Sequence, residues 1–152
     1  MLRFKKKKIS IRKVKLGKNV TIFNPSNIYE CEIGENSFIG PFVEIQKGVK
    51  IGKNSKVQSH SFICELVEIK DNVFVGHGVM FINDKFKNHG PAKGNKKLWN
   101  KTEIGNGVSI GSNSTILPVK ICDNVIIGAG SVVTKNISLK GIYAGNPIKK
   151  IK

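Results

Sequence analysis

The sequence predicts an all-β chain wound as a solenoid, and three observations predict it. An aliphatic or aromatic residue returns almost every six positions, at Leu16, Ile22, Ile28, Ile33, Ile39, Ile45, Ile51, Val57, Ile63, Ile69, Val75 and Phe81, then at Ile104, Ile110, Ile116, Ile121, Ile127 and Val133. Glycine follows this opener at Gly17, Gly34, Gly40, Gly52, Gly76, Gly105, Gly111 and Gly128, and a small or β-branched residue stands four after it, as at Ser37, Val43, Ser55, Val73, Ser114 and Val125. The beat breaks once, between Phe81 and Ile104, beside His77, Asn83 and Asp84.

A period of six fits neither an amphipathic helix nor a lone alternating strand. It fits short parallel strands separated by turns, with the opener and the residue four later pointing inward. Glycine is expected to permit the turn backbone, and β-branched residues favour strand over helix. Three hexads close one triangular coil, so the twelve openers before the break give four coils and the six after it give two. At ~4.8 Å between strands, about six coils make a prism roughly 29 Å tall. Interruption after whole coils makes residues 84–102 an excursion from one continuous domain, 1–152, with a tail at 134–152. The spacing does not reveal the hand of the coil, and general rules favour right-handed crossovers.

Composition narrows the classes. No stretch approaches the roughly 18 apolar residues of a membrane-spanning helix, and the start, MLRFKKKKISIRKVKL, has charge without the apolar run of a signal peptide. Cys31, Cys64 and Cys122 are odd in number and lack a C-x-x-C spacing, so they read as reduced, half-buried residues of a cytoplasmic protein. The net charge of +16 points to nucleic acid or to phosphate-bearing ligands, against a background of ordinary solvated lysines. Aromatics are few and no ribonucleoprotein-like motif or basic helix is present, which sets nucleic acid aside.

The hexads "IGENSF", "IGKNSK", "IGNGVS" and "IGSNST", followed by "IIGAGSVVTKNI" and "YAGNP", resemble the hexapeptide-repeat acyltransferases over nearly the whole chain from Lys13 onward. The resemblance implies a left-handed parallel β-helix, a homotrimer, and acetyl-CoA as cosubstrate in clefts between subunits, with one subunit's projecting loop completing a site. More narrowly, "IFNPSNIYECEIG", "GHGVMFINDKF" and "GNGVSIGSNSTILPVKI" resemble N-acetyltransferases of nucleotide-linked 3-amino sugars, of the dTDP-3-amino-3,6-dideoxyhexose type with a UDP-linked sister group. These relatives commonly follow "NDK" and an aromatic with Pro-Arg; this chain reads "NDKFKNHGPAKG", leaving Lys87 or Lys93 to substitute for that arginine.

Acetyl transfer to an amine needs an unprotonated amine, a thioester held within attack distance, and donors for the developing oxyanion. His77 is the candidate general base, since histidine titrates near working pH. The resemblance offers a base-free alternative in which the CoA sulfur takes the amine proton, Asn83 orients the reactants, and Asp84 contacts substrate or anchors the loop. It also places Phe23, Asn24, Asn27, Tyr29 and Glu30 against the nucleotide-sugar. Gly111 and Ala129 would flank CoA and offer backbone N–H groups, while Pro147 of "YAGNP" and Lys135, Lys149 and Lys150 would meet its 3′-phosphoadenosine end. The loop lysines Lys85, Lys87, Lys93, Lys96, Lys97 and Lys101 could steer anionic ligands, and Trp99 is expected to pack against the solenoid or a neighbour.

Two other classes were weighed. His60, His77 and His89 are too widely separated for the zinc site of a carbonic-anhydrase-like solenoid, so no metal is expected. A structural or ice-binding solenoid would show a ladder of identical residues, typically threonine, and no charged loop. Within the enzymes, an O-acetyltransferase acting on a sugar hydroxyl would need a true base and would make His77 indispensable.

Overall fold

The computed structural model describes residues 10–152; the basic run at 1–9 lies outside the described residues. Its strands, two to four residues each, stack into three parallel sheets that form the faces of a β-helix. The first face carries the strands Ile11–Arg12, Asn27–Tyr29, Glu44–Ile45, Phe62–Ile63, Met80–Phe81, Thr115–Ile116 and Val132–Val133. The second carries Lys15–Leu16, Glu32–Ile33, Lys50–Ile51, Val67–Ile69, Thr102–Ile104 and Lys120–Ile121. The third carries Thr21–Ile22, Phe38–Ile39, Lys56–Val57, Phe74–Val75, Ser109–Ile110, Val125–Ile127 and Gly141–Ala144, with Lys149–Lys150 added antiparallel.

Opener pairs with opener from turn to turn, as in Ile28 with Ile45 and Phe81 with Ile116. The first face has seven strands where six coils are expected. One extra turn begins at Ile11, which pairs with Ile28. The expected tail also keeps coiling: Ile137 bridges Ile121, and Gly141–Ala144 pairs with Val125–Ile127. Both ends escape the count because their spacing shortens and Tyr143 stands where an aliphatic opener would.

The openers from Ile28 to Val133 make a continuous buried column inside each face. The residues four later are buried as well, including Ser37, Ser55, Ser61, Ser114 and Ser131. Burying a hydroxyl is costly unless it is hydrogen-bonded, and each of these serines stitches neighbouring turns. Ser61 Oγ donates to the Gly76 carbonyl at 2.8 Å and accepts the Val79 N–H at 3.3 Å.

The glycines after the openers have a different role from the one expected. Positive φ at the corner between the second and third faces falls to Asn19, Asn36, Asn54, Asn72 and Asn124, at 54° to 57°, a conformation asparagine tolerates. The opener glycines instead let turns approach. A Cβ on Gly34 would lie 2.5 Å from the Lys53 backbone nitrogen, and one on Gly76 2.7 Å from that of Ser112.

The cysteines are buried more deeply than expected. Cys31 and Cys64 point inward, and burial pushes their thiols up to about 11 and about 12, while Cys122 is half-buried. Such thiols are poor nucleophiles. Among the described residues, no helix is long and apolar enough to cross a membrane.

Candidate active site

The chain leaves the solenoid after Met80–Phe81 and returns at Thr102–Ile104, at the corner between the first and second faces. The strands on either side keep their register, so the excursion costs the helix no pairing. The excursion is tied at its base: the Asn100 N–H donates to the Asn83 carbonyl at 2.9 Å, and Asp84 and Trp99 form an antiparallel bridge.

Asn83 is half-buried, and its Nδ2 donates to the Glu65 carbonyl at 3.2 Å. That bond fixes the amide plane and turns Oδ1 away from Glu65. Asp84 has both carboxylate oxygens engaged inside the loop, Oδ1 by the Phe86 N–H at 2.9 Å and Oδ2 by the Ala92 N–H at 2.7 Å. Of its two expected roles, this geometry supplies the anchor. Lys96 fastens the loop to the solenoid through Glu65, Nζ to Oε2 at 2.5 Å, and its Nζ lies 5.4 Å from the centre of the Trp99 ring. Trp99 thus makes its aromatic contact within its own loop.

His77 stands at the corner between the third and first faces and is exposed. Ser59 Oγ lies 2.8 Å from its Nδ1, and its backbone N–H donates to Ser112 Oγ at 3.2 Å. The ring is held by one nitrogen. His77 and Asn83 therefore flank opposite edges of the Met80–Phe81 strand.

The corner of His77 also carries Asn24, Gly111 and Ala129 on other turns. The Gly111 N–H donates to the Ile127 carbonyl at 2.8 Å, so it is held in the ladder rather than free for an oxyanion. A Cβ there would strike the Ala129 backbone. The Ala129 N–H, by contrast, has no backbone partner among the described residues. Ala144 stacks beside Gly128, and Lys149–Lys150 folds back on Tyr143–Ala144 with Pro147 in the turn, so these groups gather near Ala129. Lys135 leaves along the first face, at a different corner.

The expected nucleotide-sugar residues divide between the two edges of the first face. Asn27 and Tyr29 lie on it, where Arg12 donates to Asn27 Oδ1 at 2.9 Å and its guanidinium sits 4.5 Å from the Tyr29 ring centre. Glu30 lies at the corner of Asn83, where its hydrogen bond with Lys47 holds its carboxyl below the usual range. Phe23 and Asn24 lie at the corner of His77, with Phe23 5.4 Å from Phe38. Sequence reasoning missed Arg12, Ser59 and Glu65, yet the register could have found them. Ser59 and Glu65 stand 18 residues before the residues they hold, one full turn.

Two hollows lie along the charged second face, one against Lys15, Glu32, Lys50 and Glu68, the other against Lys70, Glu103 and Lys120. His77 and Asn83 line neither, and both front onto open surface.

Comparison with known proteins fits this geometry. Residues 30–65 match the bacterial transferase hexapeptide model (six repeats), and residues 101–135 match the hexapeptide repeat of succinyl-transferase. AntD, an N-acyltransferase from Bacillus cereus solved as a point variant in complex with dTDP and coenzyme A, is 30% identical over 91% of this chain and 82% of that one, with a TM-score of 0.80. A maltose O-acetyltransferase from Clostridium difficile is 28% identical over 91% of this chain and 68% of that one, with a TM-score of 0.57. The bifunctional protein GlmU of Bdellovibrio bacteriovorus is 38% identical over 81% of this chain, which spans 25% of the GlmU length. With the same hexads, the same stacked faces and AntD matched along most of its length, the chain belongs to the hexapeptide-repeat acyltransferase family.

Proposed function

We propose that this chain moves an acetyl group from acetyl-CoA to the amino group of a nucleotide-linked 3-amino-3,6-dideoxyhexose, in cytoplasmic synthesis of cell-surface polysaccharide. The observation that carries the reading is the likeness to AntD, whose complex pairs dTDP with coenzyme A. The net charge of +16 suits two anionic ligands.

In the transfer, the amine lone pair attacks the thioester carbonyl, the C–N bond forms and the C–S bond breaks. The amine proton passes to the CoA sulfur, so no side-chain base is required. Asn83, its amide fixed by Glu65, orients the reactants, and positioning supplies most of the rate. The Ala129 N–H is the backbone donor left to polarise the acetyl carbonyl. Since His77 and Asn83 flank a face without enclosing a cavity, the cleft is completed by a second subunit of a homotrimer. That places His77 and Asn83 of one chain in different clefts.

A second reading, O-acetylation of a sugar hydroxyl, is favoured by the exposed His77 ring lying with Nδ1 2.8 Å from Ser59 Oγ: with Nδ1–H donating to Ser59, Nε2 carries the lone pair a general base needs. A thiol-release assay separates the two, run with acetyl-CoA against dTDP- and UDP-linked 3-amino sugars and hydroxyl acceptors. Turnover of a dTDP-3-amino sugar that survives His77→Ala but falls at least about a hundredfold in Asn83→Ala supports the N-acetyl reading. Activity only on a hydroxyl, lost with His77, replaces it. AntD has also been solved with 3-hydroxybutyryl-CoA, so that thioester belongs in the panel beside acetyl-CoA.

A further inference from the structure

At the corner of His77, five successive turns each place one residue at positive φ: Phe42 at 60°, His60 at 63°, Gly78 at 64°, Asn113 at 58° and Gly130 at 68°. Glycine, asparagine and histidine are enriched in that conformation, whereas a phenylalanine adopts it against its preference. The two rings stack, centroids 4.9 Å apart and 26° from parallel, and Phe42 remains 56% exposed. Phe42 also bounds a hollow of about 200 Å³ with Pro25, Ser26, Asn27, Val43 and Glu44. An aromatic ring held open above a small hollow is a platform for a second flat ring.

The edge of the hollow carries matched polar groups. Asn27 and Glu44 are direct partners in the register of the first face. Arg12 donates to Asn27 Oδ1 at 2.9 Å, which leaves Nδ2 to donate. Gln46 donates to Glu44 Oε1 at 3.0 Å, which leaves Oε2 to accept. A donor and an acceptor on side chains of adjacent strands, whose backbones lie about 5 Å apart, can lean together over a carbonyl beside an N–H, the imide edge of thymine or uracil. Arg12 adds positive charge next to that edge, where a diphosphate can follow the base.

We propose that Phe42, backed by His60, stacks the pyrimidine base of the nucleotide-linked sugar while Asn27 and Glu44 read its imide edge. This rests on the nucleotide-sugar reading above and adds Phe42, His60, Glu44 and Arg12 to the residues that bind it.

The test is calorimetric titration of dTDP, UDP, inorganic pyrophosphate and coenzyme A into the full chain and into Phe42→Gly and Glu44→Gln. Glycine already occupies this corner at Gly78 and Gly130, so Phe42→Gly removes the ring while easing the backbone. Loss of one base–aromatic stack is expected to weaken dTDP and UDP about tenfold or more, leaving pyrophosphate and coenzyme A within twofold. Glu44→Gln is expected to weaken both nucleotides severalfold. Unchanged dTDP affinity in Phe42→Gly, with coenzyme A still binding, overturns the base subsite and leaves the functional reading standing. Failure of the unaltered chain to bind either nucleotide, with coenzyme A binding intact, overturns both.

Discussion

The first and second faces of the prism share their inward columns and differ in what they turn outward. Outward from the second face stand Lys15, Glu32, Lys50, Glu68, Glu103 and Lys120. They are laced by ion pairs such as Lys15–Glu32 at 2.9 Å, Lys101–Glu68 at 2.7 Å and Lys101–Glu103 at 2.8 Å. Outward from the first face stand Asn27, Glu44, Phe62, Met80, Thr115 and Val132, with the candidate residues along both edges and the excursion rooted at one. The hexad fixes only what points in, so the outward columns are free to specialise. One face has become a solvated wall of alternating charge that resists adhesion. The other combines apolar side chains with the polar groups that a ligand or a second subunit would meet.

The sharpest way to break the comparison is to cut each side of one strand. Phe81 is fully buried on the inward side of the first face and Met80, its neighbour, is 43% exposed. Phe81→Ala is expected to cost about 3–5 kcal/mol, whereas Met80→Ala should cost no more than about 1 kcal/mol. Urea midpoints at fixed protein concentration measure both. Equal effects would mean that the alternation of inward and outward residues is wrong.

The faces should also differ in assembly. Met80→Lys puts a charge on the face proposed above to meet a second subunit, where desolvation is costly, and is expected to weaken association at least about tenfold. Lys50→Gln on the charged wall should leave the assembly unchanged. Sedimentation of both variants decides it, and an undisturbed mass for Met80→Lys would move the contact to the third face.

The charged wall has its own signature in acid. Hydrogen bonds from Lys101 and Lys70 hold Glu68 down to about 2. A carboxylate depressed in the folded state contributes stability above its unfolded value, near 4.3, and loses it as pH falls towards the folded one. Thermal midpoints should therefore decline between about pH 4.5 and pH 2, and Glu68→Gln should flatten that decline. With solvent screening, the contribution is about 1 kcal/mol. A Glu68→Gln profile parallel to that of the unaltered chain would show that the ion pairs do not stabilise the wall.

What the sequence revealed follows from what is periodic. The inward columns were legible because each coil repeats the same constraint on Ile28, Ile45 and Ile63. The terminal turns were not, since Val133 to Ile137 shortens the step and Tyr143 changes the residue type. The opener glycines were legible as a pattern and misread in cause: the clash that excludes a side chain at Gly34 comes from Lys53, on the next turn. At the candidate site, sequence alone located Asn83 and Asp84 beside the break. It could not show that each oxygen of the Asp84 carboxylate accepts a backbone N–H, from Phe86 and Ala92, or that the Gly111 N–H belongs to the ladder, because both depend on partners set by folding.

The smallest effect expected lies where the excursion rejoins the second face. Val49, Val67 and Val119 form a buried column with Cys31, and Thr102 takes its place among them at 1% exposure. Its Oγ1 is buried without a hydrogen-bond partner, as is Oδ1 of Asn100 two residues earlier. A hydroxyl that loses its water on folding and gains no partner is destabilising, and valine has nearly the same shape without that group. Thr102→Val should therefore raise stability by about 1 kcal/mol, while Val67→Thr, on the strand beside it, should lower it by a similar amount. If Thr102→Val instead lowers the urea midpoint, the hydroxyl has a partner in solution and the burial cost is not what sets stability at this position.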